Sequence, residues 1–446
     1  MHTLEQLRSG ALMGTRRLDL SCDLQALPPE VFDLADTLEV LNLSGNQLST
    51  LPHDLPRLHK LKVIFCSNNP FTHLPEVLGD CAALQVVGFK ACSITAVPGA
   101  ALPPLLRWLI LTDNAITQLP PAVGLRPAMQ KLMLAGNQLR DLPAGLADAH
   151  KLELLRLSAN QFAQLPGWLT ELPRLGWLAL AGNPLGWHRA ESAPMGRVPW
   201  AQLRVDRLLG EGASGHIYRV RQEGHAQDAT QGLALKLFKG LVTSDGLPEH
   251  ELAACLAAGQ HPALCTPSAE LADHPQGTRG LLLPLIPSHY VNLAGPPSLD
   301  SCTRDVYAPE LRIPVPAALR LALGMAEALE HLHRQGVMHG DFYAHNILWD
   351  PANGQALLSD FGAGTLLPVE LPAWSRRLQA LEVRAFGCLL EELVAHAQQA
   401  DGEYAGALDG VATLARACLD DSPAHRPSMA EAARQLAVVS SVTGTD

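Results

Sequence analysis

Gly210, Gly212 and Gly215 stand in G-x-G-x-x-G spacing within LLGEGASGHIYRV, between segments able to pair as two strands. Glycines so spaced let backbone amides close over phosphate oxygens, but the spacing also occurs in dinucleotide folds and in ordinary turns. A dinucleotide fold needs a helix straight after the loop, whereas HIYRVRQ reads as a strand. Lys236 comes next, in the strand-like GLALKLFK, and the helical stretch PEHELAACLAAGQHP brings Glu249 and Glu251. MHGDFYAHNILW then holds His339, Asp341 and Asn346, and LLSDFGAG, a short way further on, supplies Asp360, Phe361 and Gly362. Near the end, CLDDSPAHRPSMAEAARQL carries Arg426 before a proline. Each motif alone is a weak signal for phosphate chemistry; five in one order are a specific one.

In order and spacing, residues 203–446 resemble a protein kinase domain, with MHGDFYAHNILW at the catalytic loop H-R-D-x-x-x-x-N and Asp360 at the head of D-F-G. The resemblance implies ATP and Mg²⁺ as cofactors. Lys236 would hold the α and β phosphates through an ion pair with a helix-borne acid. Glu251, close to the usual family distance before His261-Pro262, is the choice for that acid, and Glu249 is the alternative. Asp341 would orient the acceptor hydroxyl and take its proton, while Asn346 and Asp360 would hold the metal. Ile217, Ala234 and Leu348 match the apolar positions that sandwich adenine, where ordinary core packing would also place them.

The pattern departs from the family on the acceptor side. Gly340 replaces the arginine of H-R-D, and Tyr343 replaces the lysine that Ser/Thr kinases direct at the γ-phosphate. No A-P-E follows D-F-G, and Glu382 fills the place of the structural aspartate in the next helix, so the stretch from Asp360 to Glu382 is short. Glu370 is the candidate partner of Arg426 in place of the missing acid. H-G-D also occurs in kinase-fold enzymes acting on small molecules, such as aminoglycoside and choline phosphotransferases, which makes a small-molecule acceptor one alternative. A pseudokinase scaffold acting through the rest of the chain is another. The Gly-rich loop and the repeat array favour a protein acceptor over the first, and Lys236, Asp341, Asn346 and Asp360 argue against the second.

The elements before position 190 follow a different grammar. LEVLNLSGNQLSTLP begins at Leu38, and similar segments begin at Leu61, Leu84, Leu106, Met129, Leu152 and Leu175, a nearly constant step, with an imperfect copy from Thr15. The pattern L-x-x-L-x-L-x-x-N-x-L identifies about eight leucine-rich repeats over residues 1–187, an α/β solenoid. Alternate strand residues such as Leu41 and Leu43 point into the core. Asn46, Asn69, Asn114, Asn137, Asn160 and Asn183 sit where each strand ends, and Cys92 takes that place once. The outward positions include Phe65, Trp108, Ile110, Met133 and Trp177, an apolar stripe suited to a protein partner or to cover by the second half of the chain.

The expected architecture is therefore multidomain: repeats over 1–187, a linker over 188–202, and a bilobal α+β kinase-like domain over 203–446. Its 446 residues carry 33 Lys and Arg against 44 Asp and Glu. Positions 1–190 are balanced, 15 basic side chains against 15 acidic ones, so the net charge of −11 falls wholly on the second part. An acidic chain argues against nucleic acid or an anionic membrane as partner. Nine scattered Cys without a C-x-x-C pair fit reduced thiols, and no apolar run approaches a membrane span. These features predict a cytoplasmic protein. The Ala, Leu, Gly and Pro bias points to a GC-rich, bacterial source, for which delivery into a host cell would be a second destination.

Overall fold

The computed structural model describes residues 1–187, 195–211, 215–223, 232–239, 243, 245–398 and 402–442. They form two compact units, one of residues 1–172 with 183–186 and one of residues 173–182 with 187–446.

After a short helix α1 (Leu4–Arg8), the repeats supply the strands β1 (Arg17–Asp19), β2 (Val40–Asn42), β3 (Val63–Phe65), β4 (Val86–Gly88), β5 (Trp108–Ile110), β6 (Lys131–Met133), β7 (Leu154–Arg156) and β8 (Trp177–Ala179). They lie in sequence order in one eight-stranded sheet. The central residue of each strand is buried, as at Leu41, Ile64, Leu109 and Leu132, and the pairing is parallel with one repeat per rung. No strand is long enough to be stable alone, so stacking of similar rungs holds the array. Asn46 shows how the turns are held: its Oδ1 accepts from the Cys22 and Leu24 amides while Nδ2 donates to the Leu20 and Leu43 carbonyls. Asn69, Asn137 and Asn160 likewise join two successive repeats. At Cys92 the thiol donates to the Cys66 carbonyl instead, at 3.2 Å. Burial holds the Cys66 thiol well above its ordinary range, which suits a packed side chain and not a reactive one.

The second unit opens its own sheet with β9 (Gly196–Pro199), β10 (Leu203–Glu211), β11 (Gly215–Gln222), β12 (Leu233–Phe238), β13 (Ala269–Ala272) and β14 (Gly280–Pro284), in the order β10-β11-β12-β14-β13-β9. The β-branched and leucine content of these strands fills a core of Leu203, Val220, Leu235, Leu271 and Leu282. Helix α2 (Pro248–Ala258) lies between β12 and β13 in the chain, and two small sheets follow: β15 (Val291–Asn292) with β17 (Ile347–Trp349) and β18 (Ala356–Leu358), and β16 (Val337–Met338) with β19 (Thr365–Leu366). Helix α3 (Val315–Arg334) buries Ala318, Leu319, Ala322, Met325, Ala326, Leu329 and Leu332, a single face at i, i+3, i+4 spacing, and Gly336 at φ 69° follows its end. Helices α4 (Pro372–His396), α5 (Glu403–Cys418) and α6 (Met429–Val442) complete the unit. The architecture is a leucine-rich repeat sheet followed by a kinase-like domain of mixed sheet and helices.

The compact units divide the chain differently from the sequence pattern. The strand of the last complete repeat, with its flanks, packs with residues 187–446 because its side chains and backbone have partners there, described below.

Candidate active site

β12 and α2 bring the first charged group together. Lys236 Nζ lies 2.7 Å from Glu251 Oε1 and 3.3 Å from Asp360 Oδ1, and Lys236 and Glu251 are both buried. Burial works against the ammonium, yet Asp360 and Glu251 outweigh it and raise the pKa of Lys236. Burial pushes the Glu251 carboxyl up to about 7, and Lys236 opposes this only in part. Glu249 pairs elsewhere, with Arg279 at 3.1 Å.

Asp360 adopts a left-handed φ of 60°, a conformation a non-glycine residue holds only when its surroundings impose it. The Gly362 amide donates to its Oδ1 at 3.2 Å. Burial works against its charge, but Lys236, the Gly362 amide and His339 together outweigh it and hold the carboxyl below its usual range.

The loop between β16 and β17 carries the second group. Asn346 Nδ2 donates to both the backbone carbonyl and the Oδ2 of Asp341, each at 2.9 Å. Fully buried His339 has its Nε2 3.0 Å from the Ser359 carbonyl, and its Nδ1 accepts from the Asp341 amide at 3.3 Å. The Ser359 hydroxyl and amide both donate to the Asn346 carbonyl, tying this loop to the residue before Asp360. Among the described residues no donor reaches Asn346 Oδ1 or Asp360 Oδ2. Two free oxygens of hard-donor type suit a divalent cation of the Mg²⁺ class.

Gly215 starts β11, where an added Cβ would meet the Leu237 carbonyl oxygen at 2.4 Å, so the close strand approach there requires glycine. Gly210 is paired opposite Ile217, and Ile217 stands opposite Lys236 on the other side. Ala234 is buried opposite Leu283 on β14, and Leu348 lies on β17 just past Asn346. Gly212 falls outside the described residues.

Around the catalytic-loop position the departures each have a neighbour. Gly340, at φ 73°, donates its amide to Glu382 Oε1 at 2.7 Å, and the other Glu382 oxygen lies 2.8 Å from His333 Nε2. A Cβ on Gly340 would meet the Leu178 carbonyl oxygen at 2.6 Å and that of Ala363 at 2.7 Å. Arg426 does not pair with Glu370; its guanidinium donates to the carbonyls of Asp420, Ala380 and Pro173. Burial lowers its pKa to about 10.

Trp177 corrects the expected binding stripe. Its indole Nε1 donates to the Phe342 carbonyl at 2.8 Å, its ring stacks on Tyr343 at 4.3 Å and 3°, and only 2% of it is exposed. It is therefore unavailable to a partner. Phe65, Trp108 and Met133 stay half-buried, with Lys131 Nζ 4.3 Å over the Trp108 ring and the indole N–H donating to Met133 Sδ.

One pair near the site escaped the sequence reading. His345 Nδ1 lies 2.7 Å from Asp305 Oδ1, and its amide donates to the other oxygen at 3.0 Å. Burial opposes the charge on the imidazole, but Asp305 more than offsets it and raises the pKa. The adjacency of His345 to Asn346 was the only available signal, since Asp305 lies in an irregular stretch without periodicity.

Comparison with known proteins agrees with this geometry. A model of the protein tyrosine and serine/threonine kinase family matches residues 203–368, and leucine-rich repeat models match 37–58, 104–162 and 127–185. The chain carries leucine-rich repeats and a protein kinase domain. It is similar to the serine/threonine-protein kinase SBK2 of Mus musculus, 30% identical over 171 residues, 37% of this chain and 42% of that one. It also resembles the probable inactive serine/threonine-protein kinase roco10 of Dictyostelium discoideum, 32% identical over 111 residues, 24% of this chain and 4% of the relative. A third match is the serine/threonine-protein kinase csk1 of Schizosaccharomyces pombe, 35% identical over 72 residues, 16% of this chain and 21% of that one. The chain spans less than half the length of each of these relatives. Their sources do not support the bacterial origin to which composition points. No helix among the described residues is long and apolar enough to cross a membrane.

Proposed function

We propose that the kinase domain is an active, ATP- and Mg²⁺-dependent Ser/Thr protein kinase whose repeats recruit a protein partner or substrate through Phe65, Trp108 and Met133. The observation that carries the reading is the buried Lys236–Glu251 pair with Asp360 beside the same ammonium. A buried ion pair is a poor stability device, because desolvating two charges consumes much of their attraction. Its presence supports a role for the cation toward a ligand. Lys236 directs one positive charge at phosphate, with Glu251 holding the ammonium in place. Asn346 Oδ1 and Asp360 Oδ2 would hold Mg²⁺, which when bound neutralises phosphate charge. Asp341, oriented by the Asn346 amide and by His339, accepts the proton of the acceptor hydroxyl. The nine cysteines are free thiols, in keeping with a reducing cytosol.

Gly340 does not favour a small-molecule acceptor, since the crowding by the Leu178 and Ala363 carbonyls accounts for glycine there. The test is incubation of the full chain with labelled ATP and cell extract. Protein-bound label is expected, and Asp341→Asn should lower transfer by about 10² to 10⁴ while retaining nucleotide binding. A soluble labelled product would reassign the acceptor. No turnover above that variant would make the domain a scaffold.

A further inference from the structure

Residues 173–182, which surround β8, make four contacts inside the second unit, two of them with the catalytic loop. The Trp177 indole donates to the Phe342 carbonyl at 2.8 Å and its ring lies flat on Tyr343. The Leu178 carbonyl occupies the space that a side chain on residue 340 would need. The Leu180 amide donates to Thr365 Oγ1 at 3.1 Å, and the Pro173 carbonyl accepts from Arg426 at 2.6 Å. Gly340 and Tyr343 depart from the kinase pattern, Thr365 lies in the shortened stretch between Asp360 and Glu382, and Arg426 lacks the acid that the pattern would pair with it.

We propose that Trp177 is a positioning residue for the acceptor side of the site, and that residues 173–182 brace the catalytic loop in place of the missing activation-segment contacts. The proposal rests on the kinase reading above. Phe342 and Tyr343 directly follow Asp341, so a carbonyl and a ring fixed there restrict the backbone that aims the Asp341 carboxylate. Two restraints act at once: the hydrogen bond fixes the carbonyl direction and the stack fixes the plane of Tyr343. The indole N–H is buried, so losing its acceptor would leave an unpaired donor, which makes this arrangement specific. Gly340 is the complementary change. The arginine is absent because the chain at residue 178 stands there, and the brace comes from that same stretch.

The experiment compares the full chain with Trp177→Leu and Trp177→Phe by steady-state kinetics and by hydrogen exchange. Trp177→Leu should lower kcat about tenfold or more and leave the KM for ATP within about twofold, because Lys236, Glu251 and Asp360 are untouched. Amides of residues 340–346 should exchange faster in that variant, and those of 233–238 should not. Trp177→Phe keeps an aromatic face and should recover part of both effects; it also carries the test if the leucine variant does not fold. Wild-type kcat with wild-type exchange in Trp177→Leu overturns the proposal. If the wild type itself turns over no more ATP than Asp341→Asn, the enzyme reading fails separately. Exchange at 340–346 then decides the brace, and an unchanged rate overturns it.

Discussion

The two sides of the candidate site are built by different means. On the proposed nucleotide side, Lys236, Glu251, Asp360 and Asn346 stand at the spacings of the kinase pattern, and their side-chain partners are one another or Asp341. On the acceptor side, Gly340, Tyr343 and Arg426 lack their family partners and take up Leu178, Trp177 and Pro173 instead, from a stretch far back in the chain. Glu382 stands between the two cases: it is one methylene longer than the aspartate of the pattern and still receives the Gly340 amide. Charge chemistry admits few substitutes, so the nucleotide side keeps its residue types. Bracing a loop requires only a carbonyl, an amide or a ring at the right place, and a distant strand can supply these.

The difference can be broken most severely at the proposed metal position. Asp360→Ala should remove the stabilisation by Mg-ATP, about 2.7 kcal/mol at a hundredfold excess over Kd in the wild type, while the chain stays folded without nucleotide. Thermal unfolding with and without Mg-ATP checks it, and an equal shift in both proteins would remove Asp360 from the site.

A smaller effect is expected on the acceptor side. Gly340→Ala places a Cβ against two backbone oxygens at a positive φ, and about 2 kcal/mol or more of stability should be lost. Gly277→Ala, at φ 67° with nothing within 4 Å, isolates the backbone strain alone and should cost about 1 kcal/mol. Urea unfolding of both variants measures the difference. Equal losses would show that the Leu178 and Ala363 carbonyls yield easily.

Titration of Glu251 predicts an effect of another kind, spread over pH. Its folded pKa is raised from 4.5 to about 7, so the folded chain binds the proton more tightly than the unfolded one. This carboxyl therefore favours folding most below pH 4.5, and its contribution is lost as pH rises from there through about 7. Glu251→Gln should remove that component from the stability profile across the same window. Identical profiles for the two proteins would mean that Glu251 titrates alike folded and unfolded, with Lys236 fully offsetting its burial.

The smallest expected effect is none. Thr365 and Ser375 are the only Ser or Thr side chains between Asp360 and Glu382. Buried Thr365 Oγ1 accepts from Leu180 and lies 3.3 Å from the Ala363 carbonyl, and Ser375 donates to Pro368. A phosphate on Thr365 would have to displace these contacts, so phosphatase treatment should leave activity unchanged. A loss of activity would show control from a phosphate on another surface.

Much of this was legible beforehand for definite physical reasons. Repeats announce themselves because each rung must bury the same leucines and the same asparagine turn, so the period is printed in the chain. The roles proposed for Lys236, Asp341, Asn346 and Asp360 are readable because phosphate, metal and proton chemistry admit few residue types at those spacings. Gly340 was visible only as an absence, and Trp177 could equally meet a partner or the second half of the chain, because strand periodicity tells inward from outward but not what lies outside. Tertiary structure alone decided that Trp177 meets Phe342 and Tyr343, that the Pro173 carbonyl receives Arg426, and that His345 faces Asp305. Contacts between residues far apart in the chain leave no spacing to read, since any segment presenting the same carbonyl or ring at that point in space would serve.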